Sequence, residues 1–118
     1  MKKAIKKSDY PQLVNNIKDY ILGVAVKDKF IIEFVKKDGT LRELAGTFVP
    51  PEEWTPKGPG LKYSPRQKGL LQVWDLEKEG WRMVNVLTIQ KINMVDVAID
   101  IRRLKVVTVP VTYGSMTP

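Results

Sequence analysis

Phe34-Val35-Lys36-Lys37-Asp38-Gly39-Thr40-Leu41-Arg42 is the stretch on which the fold turns. Upstream, Phe30, Ile32 and Phe34 alternate with other residues at the period of a strand with one buried face. Asp38-Gly39 then stands between two apolar runs. Such a pair is a strong hairpin signal, because both central positions of a type I′ turn require positive φ. The expected hairpin pairs strands 29–37 and 40–49, with Asp38-Gly39 at its tip. Gly46 inside the return strand points to a bulge or sharp bend, as the corner of a small barrel needs.

Working outward, a second hairpin is expected from Leu70–Asp75, a turn at Leu76–Gly80 and a return strand Trp81–Val86. Leu87–Ile92 reads as the last strand of the same sheet. Between the hairpins, residues 50–68 collect Pro50, Pro51, Pro56, Pro59 and Pro65 with Gly58 and Gly60. Proline cannot donate to a ladder, so this is a long connection, and such loops are often functional. Before the first hairpin, Leu13, Val14, Ile17, Tyr20 and Ile21 recur at helical spacing. Ser8 suits the N-cap, Asp9 the first turn and Gly23 the stop. The bland reading of this apolar stripe is that it covers an open end of the sheet. Val95, Val97, Ile99 and Ile101 alternate with polar residues beyond the second hairpin, and Leu104–Val109 is again β-branched. The expected organisation is a basic arm at 1–7, a helix plus barrel at 8–92, and a strand-like extension with a frayed tail at 93–118. A helix followed by short strands with bends predicts a mainly β fold: a small Sm-like or SH3-like barrel with an N-terminal α-helix and a C-terminal strand-like extension.

These residues resemble the WYL-like, Sm/SH3-type small barrel domains found mainly in bacteriophage and phage-derived proteins. The resemblance rests on Phe34 to Arg42, then Gly46-Thr47, Val73-Trp74-Asp75, Trp81-Arg82 and a closing Ile89 or Ile92, and it spans about residues 28–92. It implies an Sm-like barrel in a phage setting, used as an adaptable module for nucleic acid or small ligands. The chain has no literal Trp-Tyr-Leu triplet, so a ligand role tied to that triplet is not carried over.

Composition narrows the chemistry. The 118 residues suit one core, and 43% are hydrophobic, too many for a wholly disordered chain. With no cysteine and no histidine, disulfides, thiolate sites and His/Cys zinc sets are excluded, and the commonest general base and strongest nucleophile are missing. Asp96 with Asp100, and Glu52 with Glu53, are the remaining carboxylate pairs; they read as a solvated strand face and a polar loop. Gly58-Pro59-Gly60 before Lys62 lacks P-loop spacing. No catalytic residue, metal or cofactor is expected. No apolar run reaches membrane-span length, and the basic start lacks the apolar core of a signal peptide, so a cytoplasmic protein without membrane contact is expected.

Lysine and arginine number 20 against 13 acidic residues, a net charge of +7 and a pI near 9.7. Such an excess attracts polyanions. Lys62, Tyr63, Arg66 and Lys68 interleave an aromatic ring with cations, as single-strand platforms do, and Lys36 and Lys37 project from the first hairpin tip. Arg42 and Arg82 lie on neighbouring hairpins with Asp75 nearby; they either brace the fold through an Arg–Asp bridge or face phosphate. Trp81 is expected in the core, and Trp74 is ambiguous. The expected function is therefore a nucleic-acid-binding accessory protein of phage or prophage type, contacting DNA or RNA without sequence preference. The alternatives are a non-catalytic interaction or assembly module acting on a host or phage protein, and a nucleotide-like ligand binder. Segment 95–109 is expected to be ordered as strand. Its apolar face must be covered by the chain's own barrel or by a second copy in a homo-oligomer.

Overall fold

The computed structural model describes residues 4–56, 58 and 60–110. Lys2 and Lys3 of the basic arm, Pro59 of the loop, and the tail from Tyr113 to Pro118 lie outside the described residues. Helix α1 (Tyr10–Val24) is followed by β1 (Lys29–Val35), β2 (Leu41–Thr47), β3 (Leu70–Asp75), β4 (Gly80–Asn85), β5 (Ile89–Ile92), β6 (Val95–Asp100) and β7 (Lys105–Thr108). The strands form one antiparallel seven-stranded sheet in the order β4-β3-β2-β1-β5-β6-β7. In a flat sheet of that order β4 and β5 would lie about 19 Å apart. The chain joins them through a single 3-10 turn, Val86–Thr88, which rises only about 2 Å per residue. The sheet must therefore curl until β4 and β5 approach, and β1–β5 become a small barrel.

The first hairpin forms where expected but with a different turn. Gly39 N–H donates to the Lys36 carbonyl at 2.9 Å and Lys36 N–H to the Thr40 carbonyl at 2.8 Å. Lys37-Asp38 are thus the central pair, and only Gly39 (φ 87°) is left-handed there. This is a three-residue loop closed by a left-handed glycine, not the type I′ turn. It takes one more residue, so pairing stops at Val35 opposite Leu41. Turns with two left-handed central residues occur instead at Lys27-Asp28 (φ 52° and 65°) and Asn93-Met94 (φ 50° and 67°). Neither contains glycine, so neither announced itself in the sequence.

Gly46 serves close approach rather than a bulge. β3 meets β2 only at Gly46 and Thr47, and a Cβ on Gly46 would collide with the Val73 side chain and sit 3.2 Å from the Trp74 carbonyl oxygen. The ladder irregularity lies in β1, between Glu33 and Phe34 opposite β5.

α1 buries Leu13, Val14, Ile17 and Ile21 against a core containing Ile32, Leu44, Leu71, Val73, Val84 and Ile92. The helix starts one residue later than expected. Lys7–Asp9 form a 3-10 turn, Asp9 takes the N-cap position, and its carboxylate accepts from Lys6 N–H at 3.1 Å. Gly23 stays inside the helix, which ends at Val24. Ile5, assigned to the arm, packs against the core.

The extension folds as the hairpin β6–β7, turning at residues 101–104. Val97, Leu104 and Val106 are buried with the core cluster, and β7 packs on α1. Asn16 Nδ2 donates to the Leu104 carbonyl at 3.1 Å. The chain's own helix thus covers one face of the extension. Val95, the first residue of β6, and Ile101, just past its last, stay exposed. Among the described residues no helix is long and apolar enough to cross a membrane.

Candidate nucleic-acid interface

The cations named from sequence fall into two structural groups. Arg66 and Lys68 sit in a 3-10 turn (Arg66–Lys68) ended by left-handed Gly69. The turn packs on α1, where Tyr10 lies against Gly69. Lys68 Nζ lies 4.7 Å from the Tyr63 ring centroid, which holds an exposed aromatic and a cation together. Lys62 is exposed beside them in the chain. Arg66 lines a cavity of about 320 Å³ with Lys18, Ser64, Leu70 and Gln72. Lys36 and Lys37 line a second cavity, of about 270 Å³, with Phe34, Leu70, Met83 and Asn85. Leu70 lines both cavities, so Arg66 with Lys18 and the hairpin-tip lysines lie about one shared residue.

Lys18 was missed by sequence reasoning. It sits one helical turn after Val14 on the edge of the apolar stripe, and its ammonium lies 5.1 Å from the Phe48 ring centroid. Helical spacing could have placed it beside the buried face. Only the fold brings it next to Arg66.

Arg42 and Arg82 belong to the second group. Asp75 is 1% exposed; its Oδ2 accepts from Arg42 Nη2 at 3.2 Å and forms an ion pair with Arg82, whose Nε lies 3.4 Å away. Its Oδ1 accepts from the backbone N–H groups of Glu77 (2.9 Å) and Lys78 (3.0 Å). The register explains the convergence: Val73 pairs with Arg82 and Leu71 with Val84, so Arg82 shares the inward face of the β3–β4 hairpin with Asp75. A buried carboxylate needs partners to remain charged, and this one is held by β2, its own turn and β4. The bracing reading describes the geometry. The cluster keeps one excess positive charge, with Arg42 26% and Arg82 42% exposed.

The three tryptophans form their own cluster. Trp74 and Trp81 are cross-strand partners, with ring centroids 5.3 Å apart. Trp54, from the proline-rich loop, packs edge-on to both at 5.7 and 5.8 Å. Trp74 is therefore buried on the face opposite Val73, and Trp81, expected in the core, is half-buried in this satellite cluster. The loop is anchored at Trp54 and again at its 3-10 turn. Asp96 and Asp100 pair with Lys91 (3.9 Å) and Arg103 (3.8 Å), and among the described residues no three metal-ligating side chains cluster.

A family model described as WYL_2, Sm-like SH3 beta-barrel fold, matches residues 25–89. No curated protein and no solved structure matches the chain. The matched span runs from the residue after α1 to the first residue of β5, so it contains β1–β4, the tryptophan cluster and the Arg42–Asp75–Arg82 joint. All of α1 and the β6–β7 hairpin lie outside it. With over half of the chain matched, the chain belongs to the WYL_2 family of Sm-like SH3 β-barrel domains.

Proposed function

We propose that this domain is a non-catalytic nucleic-acid-binding accessory protein of phage or prophage type, taking single strands along its basic surface. The observation that carries the reading is that Leu70 lines two cavities, one lined also by Lys18 and Arg66 and the other by Lys36 and Lys37. A strand running from one to the other has cations along it, and Tyr63 is held with Lys68. Phosphate neutralisation supplies most of the affinity, and stacking on an exposed ring contributes about 1–3 kcal/mol per base. Arg42 and Arg82, committed to Asp75, contribute field more than direct contact.

Fluorescence anisotropy with single- and double-stranded DNA and RNA at several salt concentrations tests this. Affinity should fall linearly with log salt. Replacing Lys62, Arg66 and Lys68 together should flatten the slope on single strands by about 2, at roughly 0.7 per lost phosphate contact. Lys18→Gln should flatten it by about 0.7 more. Undetectable binding to every polymer at low salt, or a slope unmoved by these changes, defeats the reading.

A further inference from the structure

We propose that a groove over the outer face of β1 and β2 docks an extended peptide segment of a partner protein, with acidic residues between apolar ones. In the β1–β2 register, Ile31 faces Ala45 and Lys29 faces Thr47. These pairs point away from the core side chains Phe30, Ile32 and Leu44. Over them lie two cavities. One, about 450 Å³, is lined by Val26, Ile31, Ala45, Leu76 and Met94. The other, about 300 Å³, is lined by Asp28, Thr47, Val49, Pro51 and Trp74. Both include Lys29 and Leu76, so they form one groove. It runs from the β5–β6 turn across β1 and β2 to β3, about 14 Å, the length of about four extended residues. It shares no lining residue with the basic cavities.

The rim is built at a conformational cost. Lys27, Asp28, Asn93 and Met94 are all left-handed, a state that non-glycine residues enter at a penalty. Asn93 holds its turn in place. Its N–H donates to the Ile31 carbonyl (2.7 Å), its Oδ1 accepts from Ile31 N–H (2.9 Å), and its Nδ2 donates to the Val24 carbonyl (2.8 Å). Met94 is left 59% exposed and Val26 69% exposed at the groove mouth. Exposed apolar side chains grouped in this way mark interaction surfaces, and methionine adapts to varied apolar partners. Strain retained at a rim is itself a sign of a clamp.

Charge selects the occupant. Lys27 and Lys29 edge the groove with Asp28, and among the described residues neither lysine is in an ion pair. A second copy would bring the same lysines on a chain of charge +7 and meet repulsion. An acidic, apolar segment meets complementary charge and an apolar floor.

The test is selection of a displayed random-peptide library on the full chain, followed by titration of a synthesised winner. Selected sequences should alternate apolar and acidic residues. The free peptide should perturb tryptophan fluorescence, because Trp74 lines the groove and touches both other tryptophans. Met94→Glu and, separately, Val26→Glu should weaken it by about tenfold or more, while single-stranded DNA affinity changes by less than about twofold. Basic or patternless selections, no selection at all, or a peptide affinity that neither substitution lowers from the parent value overturns the proposal. So does self-association abolished by both substitutions, which would assign the face to a second copy.

Discussion

Two aspartates hold the two barrel hairpins, and their surroundings could hardly differ more. At the first tip, Asp38 Oδ1 accepts from the backbone N–H of Thr40 at 3.0 Å and from its hydroxyl at 2.6 Å. At the second, Asp75 Oδ1 accepts from Glu77 and Lys78 N–H. The local motif is similar: a short carboxylate folds back onto the turn that follows it. Asp38 stands in water. Asp75 is buried, and its second oxygen collects Arg42 from β2 and Arg82 from β4. Burial turns a turn-forming residue into the joint of three strands, because a buried charge must find partners wherever the fold can supply them.

Breaking the buried end of this comparison should have the largest effect. Asp75→Ala leaves the Arg42 guanidinium and two backbone N–H groups without their acceptor and Arg82 without its ion-pair partner, and should cost about 3–5 kcal/mol in urea denaturation. A cost below about 1 kcal/mol would mean that the joint is incidental. Arg42→Ala should cost about 1.5–3 kcal/mol, the range for hydrogen bonds to charged groups. Arg82→Ala should cost less, since Arg82 is more exposed and its contact is longer. The reverse order would show that Arg82 is the principal partner.

At the exposed end, Gly39→Val should cost about 1–2 kcal/mol by forcing a β-branched residue into the left-handed region. Gly39→Asn should recover most of that loss, and failure to do so would shift the cause from φ to crowding. The smallest effect belongs to Asp38. The hydrogen bond from the Thr40 hydroxyl, then that from its N–H, holds the Asp38 carboxyl below the ordinary value of 3.8. A folded-state value below the unfolded one stabilises the native state above the unfolded value, and that stabilisation is lost as pH falls through the folded one. Acid titration of stability should therefore show a shallower low-pH loss in Asp38→Ala than in the parent. Superimposable curves would remove Asp38 from the account.

The hairpins were legible because their signals are local. Asp38-Gly39, the alternation of Phe30, Ile32 and Phe34, and the apolar runs on either side of Leu76–Gly80 all act within a few residues. The turn type was harder to read, since an Asp-Gly pair serves a type I′ turn and a left-handed glycine after Lys37-Asp38 equally well. Lys27-Asp28 and Asn93-Met94 carried no glycine signal. Tertiary bonds from Asn93 stabilise the second of them, and no local propensity reports such bonds. In the candidate site, Lys62, Tyr63, Arg66 and Lys68 stood out as neighbours in sequence. Lys18 did not, because its relation to Arg66 exists only once α1 lies on the 66–68 turn.

What the sequence by itself determined is the set of elements and their faces: a helix with one apolar stripe, paired strands with period-two burial, and a proline-rich connection unable to join a ladder. These follow from side-chain periodicity and from backbone rules that each residue carries with it. Only the tertiary structure decided which charges are spent and which are free. Arg42 and Arg66 are equally basic on paper, yet one is tied to a buried carboxylate while the other lines an open cavity. The same holds for Trp54 and Trp74, far apart in the chain and in contact in the fold. Distances between remote residues are set by how the sheet curls and where the helix lands, and no short window of sequence contains that information.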